Sequence, residues 1–519
     1  MISSNVAALI VVSLVISTTD GLVPKPTKWE KGETIYGLEE PLQFVHDYPA
    51  CFILHDAQVR FASRLRLNQI LMATNESVTR TIKQIKIHIK CGCNELPMKL
   101  WPSEKMTEDY SLNIDNELID ISATEIWGVL HALETTLQLV RKTPKRLLVI
   151  NGTQIEDNPR YGHRGYLIDS ARHYLSVEKI QQFMDAMAMV KMNVLHWHIV
   201  DDESFPYYSF TFPLLNAKGA FDSSVYVYTQ NDIQRIIEYG RLRGLRVMPE
   251  FDTPGHTLSW GKGHPEVLTE CYDKEKPNGK YGPMNPAVEN TYNFMLMLLT
   301  EIQYTFPDSF IHLGGDEVDH GCWRSNPKIQ AFMEKMHFGS NYSLLQTYYT
   351  EQLLKLVQLL KKRNTSRTSV VWQEVFDEGF KTDNETIIHV WKPEWKSEMK
   401  RVTEAGFKVL FSSCWYLSHI SYAEDWLAHY RCDPADFNGT ETEKSRIIGG
   451  EAAMWGEYVD DTNLFSRSWP RGASVAERLW TKGELDSKEF SPRLDRLTCQ
   501  MIRRGWNAEP VNGPGFCPS

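Results

Sequence analysis

Residues 245–256 read LRVMPEFDTPGH, and this stretch carries the pattern that decides the fold. Its first part, 245–251, is mostly apolar and has the length of a buried strand. Reactive side chains stand at its end: Glu250, Asp252 and His256. Short apolar runs of this kind are typical of strands that are covered on both faces, as in parallel sheets. The stretch therefore predicts a parallel strand whose carboxyl end carries chemistry.

Seven further runs of the same kind occur after residue 160, at 164–169, 193–200, 310–313, 369–372, 386–390, 407–411 and 446–450. Helical spacing lies between most of them, at 176–190, 229–243, 287–305, 343–361 and 394–404, and again at 473–480. The connection from the fifth strand to the sixth is short and shows no helical spacing. Eight strands that alternate with helices predict an α/β fold, a (β/α)₈ TIM barrel over residues 160–519. A doubly wound open sheet is the alternative.

The positions of the reactive residues favour the barrel. Nearly every predicted strand ends in acidic, basic or aromatic side chains: Asp169 with Arg172, Asp201, Glu250 with Asp252 and His256, Asp316 with Glu317, Trp372 with Glu374, Trp391, Trp415 with Tyr416, and Trp455 with Glu457. In a barrel, the carboxyl ends of all strands converge on one mouth, where active sites lie. An open sheet would spread the same residues along a line.

The region before the barrel, 22–158, mixes short strands with helical runs. Apolar residues alternate in 81–89, and 122–141 has helical spacing. This mixture predicts a small α+β domain. We find no residues that suggest chemistry in it.

Composition excludes some functions and places the chain in an oxidising compartment. The 519 residues carry a formal net charge of -10, which argues against nucleic acid or an anionic membrane as the main partner. Residues 1–20 contain an apolar run at 6–16 followed by small residues, which predicts a signal peptide. A buried strand or a membrane anchor is the alternative for this run, although it is short for a bilayer span, and no later stretch reaches about 20 apolar residues.

Sequons and cysteines support the secretory interpretation. Six Asn-x-Ser/Thr sequons predict glycosylation, at Asn75, Asn151, Asn341, Asn364, Asn384 and Asn438. The nine cysteines are expected to pair for the most part, and their odd number leaves at least one free.

The residues at the predicted mouth suggest a sugar site. Carboxylates and an arginine form hydrogen bonds with hydroxyl groups, and indole faces cover the apolar faces of a pyranose. The run HLGGDE, 312–317, is the sharpest local signal, because two glycines allow close approach of the backbone and two carboxylates follow. The alternative without a sugar site is that the tryptophans are core residues and that Asp316 and Glu317 begin a helix.

The run HLGGDEV, 312–318, resembles the catalytic signature of the β-N-acetylhexosaminidases, glycoside hydrolase family 20, of the lysosomal α/β-subunit type. Further stretches resemble this family in the same order: 196–202, 248–256, 371–374 and 449–457. The resemblance extends over nearly the whole chain after the leader, including the N-terminal domain and the cysteine-containing tail.

The resemblance implies a retaining exo-glycosidase that removes terminal β-linked N-acetylglucosamine or N-acetylgalactosamine. Most glycosidases place two carboxylates on opposite sides of the bond that breaks, and neighbouring residues are poorly placed for that. Neighbours suit substrate-assisted catalysis, in which the 2-acetamido oxygen attacks and forms an oxazolinium intermediate. The resemblance implies that Asp316 orients the acetamido group and that Glu317 is the general acid and base.

The resemblance also implies the other contacts to the sugar. These are Arg172 and Glu457 at the 3- and 4-hydroxyls, Tyr416 at the acetamido group, and Trp372, Trp391 and Trp455 as walls around the acetamido methyl and the ring. Asp201 and His256 look like a pair that supports Glu317, with Asp252 behind His256. No metal and no cofactor is implied.

Three disulfides follow from the resemblance: Cys51–Cys93, Cys271–Cys322 and Cys499–Cys517. Cys91, Cys414 and Cys432 are then expected to be unpaired or weakly paired. The resemblance further implies a homodimer that acts on N-glycans, glycolipids or chitin-derived oligosaccharides, in the lysosome or outside the cell. Ser418-His419 departs from the family, which has Asn-Arg or Asp-Leu there, and this leaves the preference for sulfated or neutral sugars open.

Two other functions stay open at this point. His196 and His198 share a strand face and could form the metal site of an amidohydrolase-like barrel, although Asp201 has the opposite parity. A protein that binds N-acetylhexosamine without cleaving it is the non-enzymatic alternative. Such a protein would be expected to have lost the acid, whereas Glu317 is present.

Overall fold

The computed structural model describes residues 21–67, 70–71, 78–361, 367–380, 385–419 and 421–517. The predicted signal peptide, 1–20, lies outside these residues, as do the predicted glycosylation sites Asn75, Asn364 and Asn384. Of the other three, Asn341 and Asn438 are exposed and Asn151 is half-buried on a strand.

The N-terminal part is a mixed sheet with two helices. Its elements are β1 (Lys28–Val45), α1 (Phe52–Leu65), β2 (Ile70–Leu71), β3 (Arg80–Ile89), β4 (Tyr110–Asp115), β5 (Leu118–Ala123), α2 (Ile126–Leu139), β6 (Arg141–Lys142) and β7 (Leu148–Asp157). Within the described residues the strand order is β1-β3-β5-β4-β7-β6-β2. Alternate side chains of β3 are buried beneath the helices, as the period of two in 81–89 predicts.

The rest of the chain alternates strands with helices. The strands are β8 (His163–Asp169), β9 (Val194–His198), β10 (Arg246–Glu250), β11 (Leu268–Asp273), β12 (Lys276–Met284), β13 (Phe310–His312), β14 (Thr368–Trp372), β15 (Ile387–Val390), β16 (Lys408–Phe411) and β17 (Ile447–Met454). The helices are α3 (Val177–Met189), α4 (Leu214–Gly219), α5 (Gln230–Arg241), α6 (Leu258–Gly263), α7 (Glu289–Thr305), α8 (Gly321–Ser325), α9 (Pro327–Lys335), α10 (Tyr342–Lys361), α11 (Gln373–Asp377), α12 (Trp395–Glu404), α13 (Trp426–Arg431), α14 (Glu441–Lys444), α15 (Leu464–Ser468), α16 (Arg471–Trp480) and α17 (Ser487–Arg503), with a 3₁₀ turn at Pro265–Val267.

Eight of the ten described strands β8–β17, all but the hairpin β11–β12, close into a parallel barrel, since β17 pairs with β8. The predicted TIM barrel is therefore confirmed, and the open doubly wound sheet is wrong. All eight predicted strands and all six predicted helices are present. The expectation of a non-helical link after the fifth strand is wrong, because the five-residue helix α11 follows β14 directly.

The register between neighbouring strands places their reactive ends at the same height of the barrel. Asp169 pairs with His198, His198 pairs with Glu250, and Glu250 pairs with His312. Four neighbouring strands thus present a titratable residue at the same height of the barrel. Capping residues fix where the outer helices begin: Ser176 accepts from a backbone N–H at the start of α3, and Thr229 forms a capping box with Asp232 at the start of α5.

Buried ion pairs join the N-terminal sheet to the barrel. The Nζ atom of Lys191, after α3, lies 2.8 Å from an Asp157 oxygen at the end of β7. The indole of Trp480, at the end of α16, donates to the other oxygen at 2.9 Å. Because a lone buried charge is costly, these contacts favour a single arrangement of the two parts.

The described cysteines form four disulfides, which include the three implied by the resemblance: Cys51–Cys93, Cys271–Cys322 and Cys499–Cys517. The fourth is Cys414–Cys432, so the expectation that these two are unpaired or weakly paired is wrong. The same two segments are also joined by a hydrogen bond between Nδ1 of His429 and the Cys414 carbonyl oxygen, at 2.8 Å. Cys91 is free and exposed.

In the part of the chain that the structure describes, none of the helices combines the length and the apolar character that a bilayer crossing requires.

Candidate active site

A cavity of about 410 Å³ opens at the carboxyl ends of the barrel strands. Its lining residues come from the strand ends and the loops that follow them: Arg172, His198, Asp201, Asp252, His256, Asp316, Glu317, Trp391, Tyr416, Ser418, His419, Trp455, Glu457 and Tyr458. The structure therefore brings together the predicted catalytic and substrate-binding residues, apart from Trp372. This is the face of a TIM barrel on which active sites lie.

The turn after β13 presents the two adjacent carboxylates. Gly314 and Gly315 have φ values of +70° and +105°, and a Cβ on Gly314 would overlap the Asp252 carboxylate. Only glycine fits there without strain. Glu317 itself is left-handed, with φ of +46°, and its side chain is exposed in the cavity. A left-handed non-glycine residue in a cavity is a sign of a functional turn.

Asp316 lies deeper than Glu317 and is 7% exposed. Its Oδ2 atom is 3.8 Å from Nε2 of His256, and its Oδ1 atom accepts from no N–H or hydroxyl group of the described residues. Burial and the neighbouring Asp316 raise the pKa of Asp252 well above its usual range. Asp252 therefore lies directly beside Asp316, and its Oδ1 accepts the Gly315 N–H at 2.9 Å.

His256 connects Asp316 with Asp201. Its Nδ1 atom lies 3.1 Å from Asp201 Oδ1. Burial acts against the charged ring, but Asp252, Asp201 and Asp316 together raise the pKa of His256 to about 11. The pair thus directs a charged ring at Asp316. Its support of Glu317 stays a prediction, and the hydrogen bond of Asp252 goes to Gly315 rather than to His256.

Arg172 is held on three sides by acids. Its guanidinium lies 2.9 Å from Asp169, 2.9 Å from Asp201 and 3.1 Å from Glu203. It also stands over the ring of Trp455, with 5.3 Å between the guanidinium carbon and the ring centroid. The arginine is therefore fixed in one position before any ligand binds.

Aromatic rings also line the cavity, and Trp391, Tyr416 and Trp455 form what we call the aromatic wall. Trp391 stacks on Tyr416 at 5.6 Å with an interplanar angle of 24°. Burial and the nearby Asp316 raise the pKa of Tyr416 well above its usual range, so this hydroxyl stays protonated. Trp372 is only 1% exposed and lies behind Trp391 and Trp455, so it supports the wall rather than lining it.

Glu374, at the start of α11, holds the aromatic wall from behind. Its Oε2 accepts from the Trp391 indole at 2.9 Å, and its Oε1 lies 2.9 Å from the Lys392 ammonium. Burial and the Asp316 charge raise the pKa of Glu374 to about 7. The sequence placed this residue at a strand end without assigning it a function.

Sequence reasoning missed several contributors to the site. Glu203 holds Arg172, and Tyr458 forms part of the rim beside Glu457, with its ring largely exposed. The position of Tyr458, next to a predicted sugar-binding acid, was a usable signal. His198 was predicted only as part of the resembling stretch 196–202 or as a metal ligand, although it lines the cavity.

The metal interpretation is weakened by the partners of the two histidines. Ring nitrogens of His196 contact Glu451 at 2.6 Å and Glu250 at 3.0 Å. Burial opposes a charge on this ring, but Glu451 and Glu250 raise the pKa of His196 to about 9. A metal ligand must be a neutral imidazole, and this ring is held as a cation. His198 likewise contacts a carboxylate through each nitrogen.

Comparison with known proteins places this geometry in a family. The model of the glycosyl hydrolase family 20 catalytic domain matches residues 161–483, and a model described as beta-acetyl hexosaminidase like matches residues 22–139. The chain is 48% identical over 431 residues to the beta-hexosaminidase subunit alpha of Bos taurus, which covers 82% of this chain and 79% of the relative. It is 44% identical over 483 residues to the subunit beta of Homo sapiens, with 92% and 82% covered.

The solved structures agree with this relationship. A chitobiase from Flavobacterium johnsoniae superposes with a TM-score of 0.79 at 28% identity, and the match covers 93% of this chain and 73% of that one. Sequence, fold and site geometry thus lead to one conclusion: the chain belongs to glycosyl hydrolase family 20 and is a glycoside hydrolase of the β-hexosaminidase type.

Proposed function

We propose that this chain removes terminal β-linked N-acetylglucosamine and N-acetylgalactosamine from non-reducing ends, by substrate-assisted catalysis with retention. The observation that carries the mechanism is the position of Asp316. This buried carboxylate has one oxygen facing His256 and one oxygen that accepts from no N–H or hydroxyl group of the described residues. An acceptor of this kind matches the N–H of a 2-acetamido group.

In this mechanism Asp316 accepts the acetamido N–H and stabilises the positive charge that develops as the acetamido oxygen attacks the anomeric carbon. The charged His256 ring lies beside it, with 3.8 Å between Nε2 of His256 and Oδ2 of Asp316. Glu317, exposed in the same cavity, donates its proton to the leaving oxygen and then takes a proton from the attacking water. Because the acetamido oxygen is the nucleophile, neither carboxylate has to form a covalent bond to the sugar.

The other lining residues hold the sugar. Arg172 is fixed by three acids and remains able to bind the 3- and 4-hydroxyls, with Glu457 sharing the 4-hydroxyl. Trp391 and Trp455 cover the apolar faces of the ring and the acetamido methyl. Tyr416, whose hydroxyl stays protonated, donates to the acetamido oxygen. Pre-positioned groups of this kind contribute by removing the entropy cost of orientation.

The two alternatives give different results in one assay. Purified protein is tested on chromogenic β-N-acetylglucosaminide and β-N-acetylgalactosaminide, with and without a chelator. We expect cleavage of both substrates at acid pH, unchanged by chelation. Loss of activity with chelator would favour a metal-dependent hydrolase, and binding without cleavage would favour a lectin-like protein.

Asp316→Asn tests the mechanism itself. Because Asn offers the acetamido group no negative charge, we expect activity to fall by at least about 10²-fold. A thiazoline mimic of the oxazolinium should inhibit the wild type strongly and the variant weakly. A fluoro-sugar that trapped a covalent bond to a carboxylate would contradict substrate assistance.

Assembly and location form part of the same proposal. We infer a homodimer, to be measured by light scattering of the purified protein. The four disulfides suit an oxidising compartment, and we place the enzyme in the lysosome or outside the cell after removal of residues 1–20. N-terminal sequencing and glycopeptide mapping of the expressed protein check the leader and the six sequons.

A further inference from the structure

Glu250 is a fully buried carboxylate at the end of β10 that does not line the cavity. Its Oε1 accepts from the indole N–H of Trp372 at 2.8 Å. Its Oε2 lies 2.7 Å from Nδ1 of His198 and 3.0 Å from Nε2 of His196. One side chain therefore contacts two separate parts of the site's support.

The first connection leads to the aromatic wall. Trp372 lies 6.5 Å from Trp391 and 6.0 Å from Trp455, measured between ring centroids. Both of those rings line the cavity. An indole can rotate about two side-chain bonds, and a hydrogen bond at Nε1 fixes that rotation. Glu250 thus sets the position of the ring on which the wall rests.

The second connection leads to a charged cluster that consists of His198, Asp201, Arg172 and His256. Nε2 of His198 lies 2.6 Å from Asp201 Oδ2, and the same oxygen lies 2.9 Å from Arg172. The other Asp201 oxygen contacts His256, which faces Asp316. His198 also packs its ring edge against Trp455 at 4.9 Å. A continuous series of contacts joins Glu250 to the groups that face the sugar.

Charges alternate along this series. Burial opposes ionisation, but His312, His198 and His196 hold the pKa of Glu250 well below its usual range. Burial likewise opposes a charge on His198, yet Glu250 and Asp201 hold its pKa well above the usual range. Titratable groups that interact with Glu250 or with its direct partners are His196, His198, Asp201, Asp252, His312, His389, Tyr416 and Glu451. Each buried anion therefore has a cation beside it.

We propose that Glu250 is a positioning residue of the active site, which holds Trp372 with one oxygen and the His198–Asp201 pair with the other, and so fixes the aromatic wall relative to the charged cluster. The inference rests on the proposed function. A sugar held between these two sides needs their separation to be constant, because a displacement of about 1 Å can reduce turnover by about 10²-fold.

Glu451, on β17, provides a matched control. It is also a fully buried carboxylate beside His196, at 2.6 Å, but its other contact is His163 at 2.6 Å. His163 is the first residue of β8, at the end of the barrel away from the mouth. Glu451→Gln therefore removes a buried charge of the same kind without a direct contact to Trp372 or to Asp201.

The experiment compares Glu250→Gln with Glu451→Gln in the full-length protein. The folded fraction is taken from circular dichroism. Both kcat and KM are measured on a chromogenic N-acetylglucosaminide from about pH 3.5 to about pH 8, a range that includes the unperturbed carboxyl and imidazole pKa values. We expect kcat/KM per folded molecule to fall about 10- to 100-fold for Glu250→Gln and less than about 3-fold for Glu451→Gln. Loss of the carboxylate beside His198 should also move the alkaline limb of the Glu250→Gln profile toward acid pH.

Trp372→Phe keeps an aromatic ring and removes the N–H donor together with the five-membered ring of the indole, so it tests the first connection if Glu250→Gln folds poorly. We expect kcat/KM to fall for Trp372→Phe, and we expect the double variant to lose no more than Glu250→Gln alone, because Glu250→Gln already breaks the contact to Trp372. Equal losses in Glu250→Gln and Glu451→Gln, or an unaffected Trp372→Phe, would overturn the proposal. A wild type without activity on N-acetylhexosaminides would instead overturn the proposed function.

Discussion

The two ends of the barrel each have a cavity, and the larger one is at the end without the predicted chemistry. The cavity at the amino ends of the strands measures about 720 Å³, against about 410 Å³ at the mouth. Its arginines are satisfied within the protein, since Arg160 forms two hydrogen bonds to Asp433 and Arg246 forms two to Asp308. Volume therefore does not identify the active site here.

The mouth differs in presenting a buried polar atom and ring faces that remain available. The Oδ1 atom of Asp316 accepts from no N–H or hydroxyl group of the described residues, Glu317 is exposed, and the rings of Trp391 and Trp455 line the cavity. A ligand can therefore form contacts at the mouth that the protein does not form with itself. The comparison teaches that unused bonding capacity, rather than space, marks the site.

The largest effect is expected when the same substitution is made in the cavity at each end of the barrel. Glu317→Gln removes the proposed proton donor, and we expect kcat to fall about 10²–10⁴-fold with sugar binding largely kept. Glu104→Gln changes an exposed carboxylate that lines the other cavity, and its activity should stay within about twofold of wild type. A Glu317→Gln enzyme with more than a tenth of wild-type activity would refute the assignment.

An intermediate effect is expected for Glu374, on the pH dependence of the free energy of unfolding. Burial and Asp316 raise the pKa of Glu374 to about 7, from an unfolded value near 4.5. The folded protein thus holds a proton that the unfolded chain releases between pH 4.5 and pH 7, so this group reduces stability as pH rises through that window. Glu374→Gln removes the titration and keeps an acceptor for the Trp391 indole.

The measurement is thermal unfolding at several pH values across that window. Relative to wild type, Glu374→Gln should gain on the order of 2 kcal/mol in free energy of unfolding between the acid and the neutral end. Glu104→Gln provides the baseline for a carboxyl that is exposed. Parallel curves for wild type and Glu374→Gln would show that the buried carboxyl does not titrate in this range.

The smallest effect concerns the rim of the mouth. His419 lines the cavity beside Ser418 and its ring is 5.8 Å from that of Tyr416. A histidine gains a positive charge at acid pH, which would favour a 6-sulfated sugar. We expect His419→Leu to lower the ratio of sulfated to neutral activity a few-fold at acid pH, the size of one exposed ion pair. An unchanged ratio across acid pH would exclude His419 from substrate choice.

The sequence by itself determined the barrel and the identity of most site residues. Eight apolar runs that each end in reactive side chains are a one-dimensional pattern, and parallel strands convert that pattern into one mouth. The run HLGGDE was also visible in the sequence as two glycines before Asp316 and Glu317, and the structure shows that both glycines are left-handed. The three expected disulfides came from the resemblance of the sequence to the family.

Only the tertiary structure decided which atoms meet. Strand parity cannot show that Trp372 lies behind the wall, or that Asp252 bonds to Gly315, because both depend on how loops fold over the barrel mouth. The pairing of Cys414 with Cys432 likewise requires α13 to return to the end of β16. The position of Glu250 between Trp372 and His198 depends on barrel closure, since these residues lie on three different strands. Sequence sets the order of such groups, whereas register and closure set the distances between them.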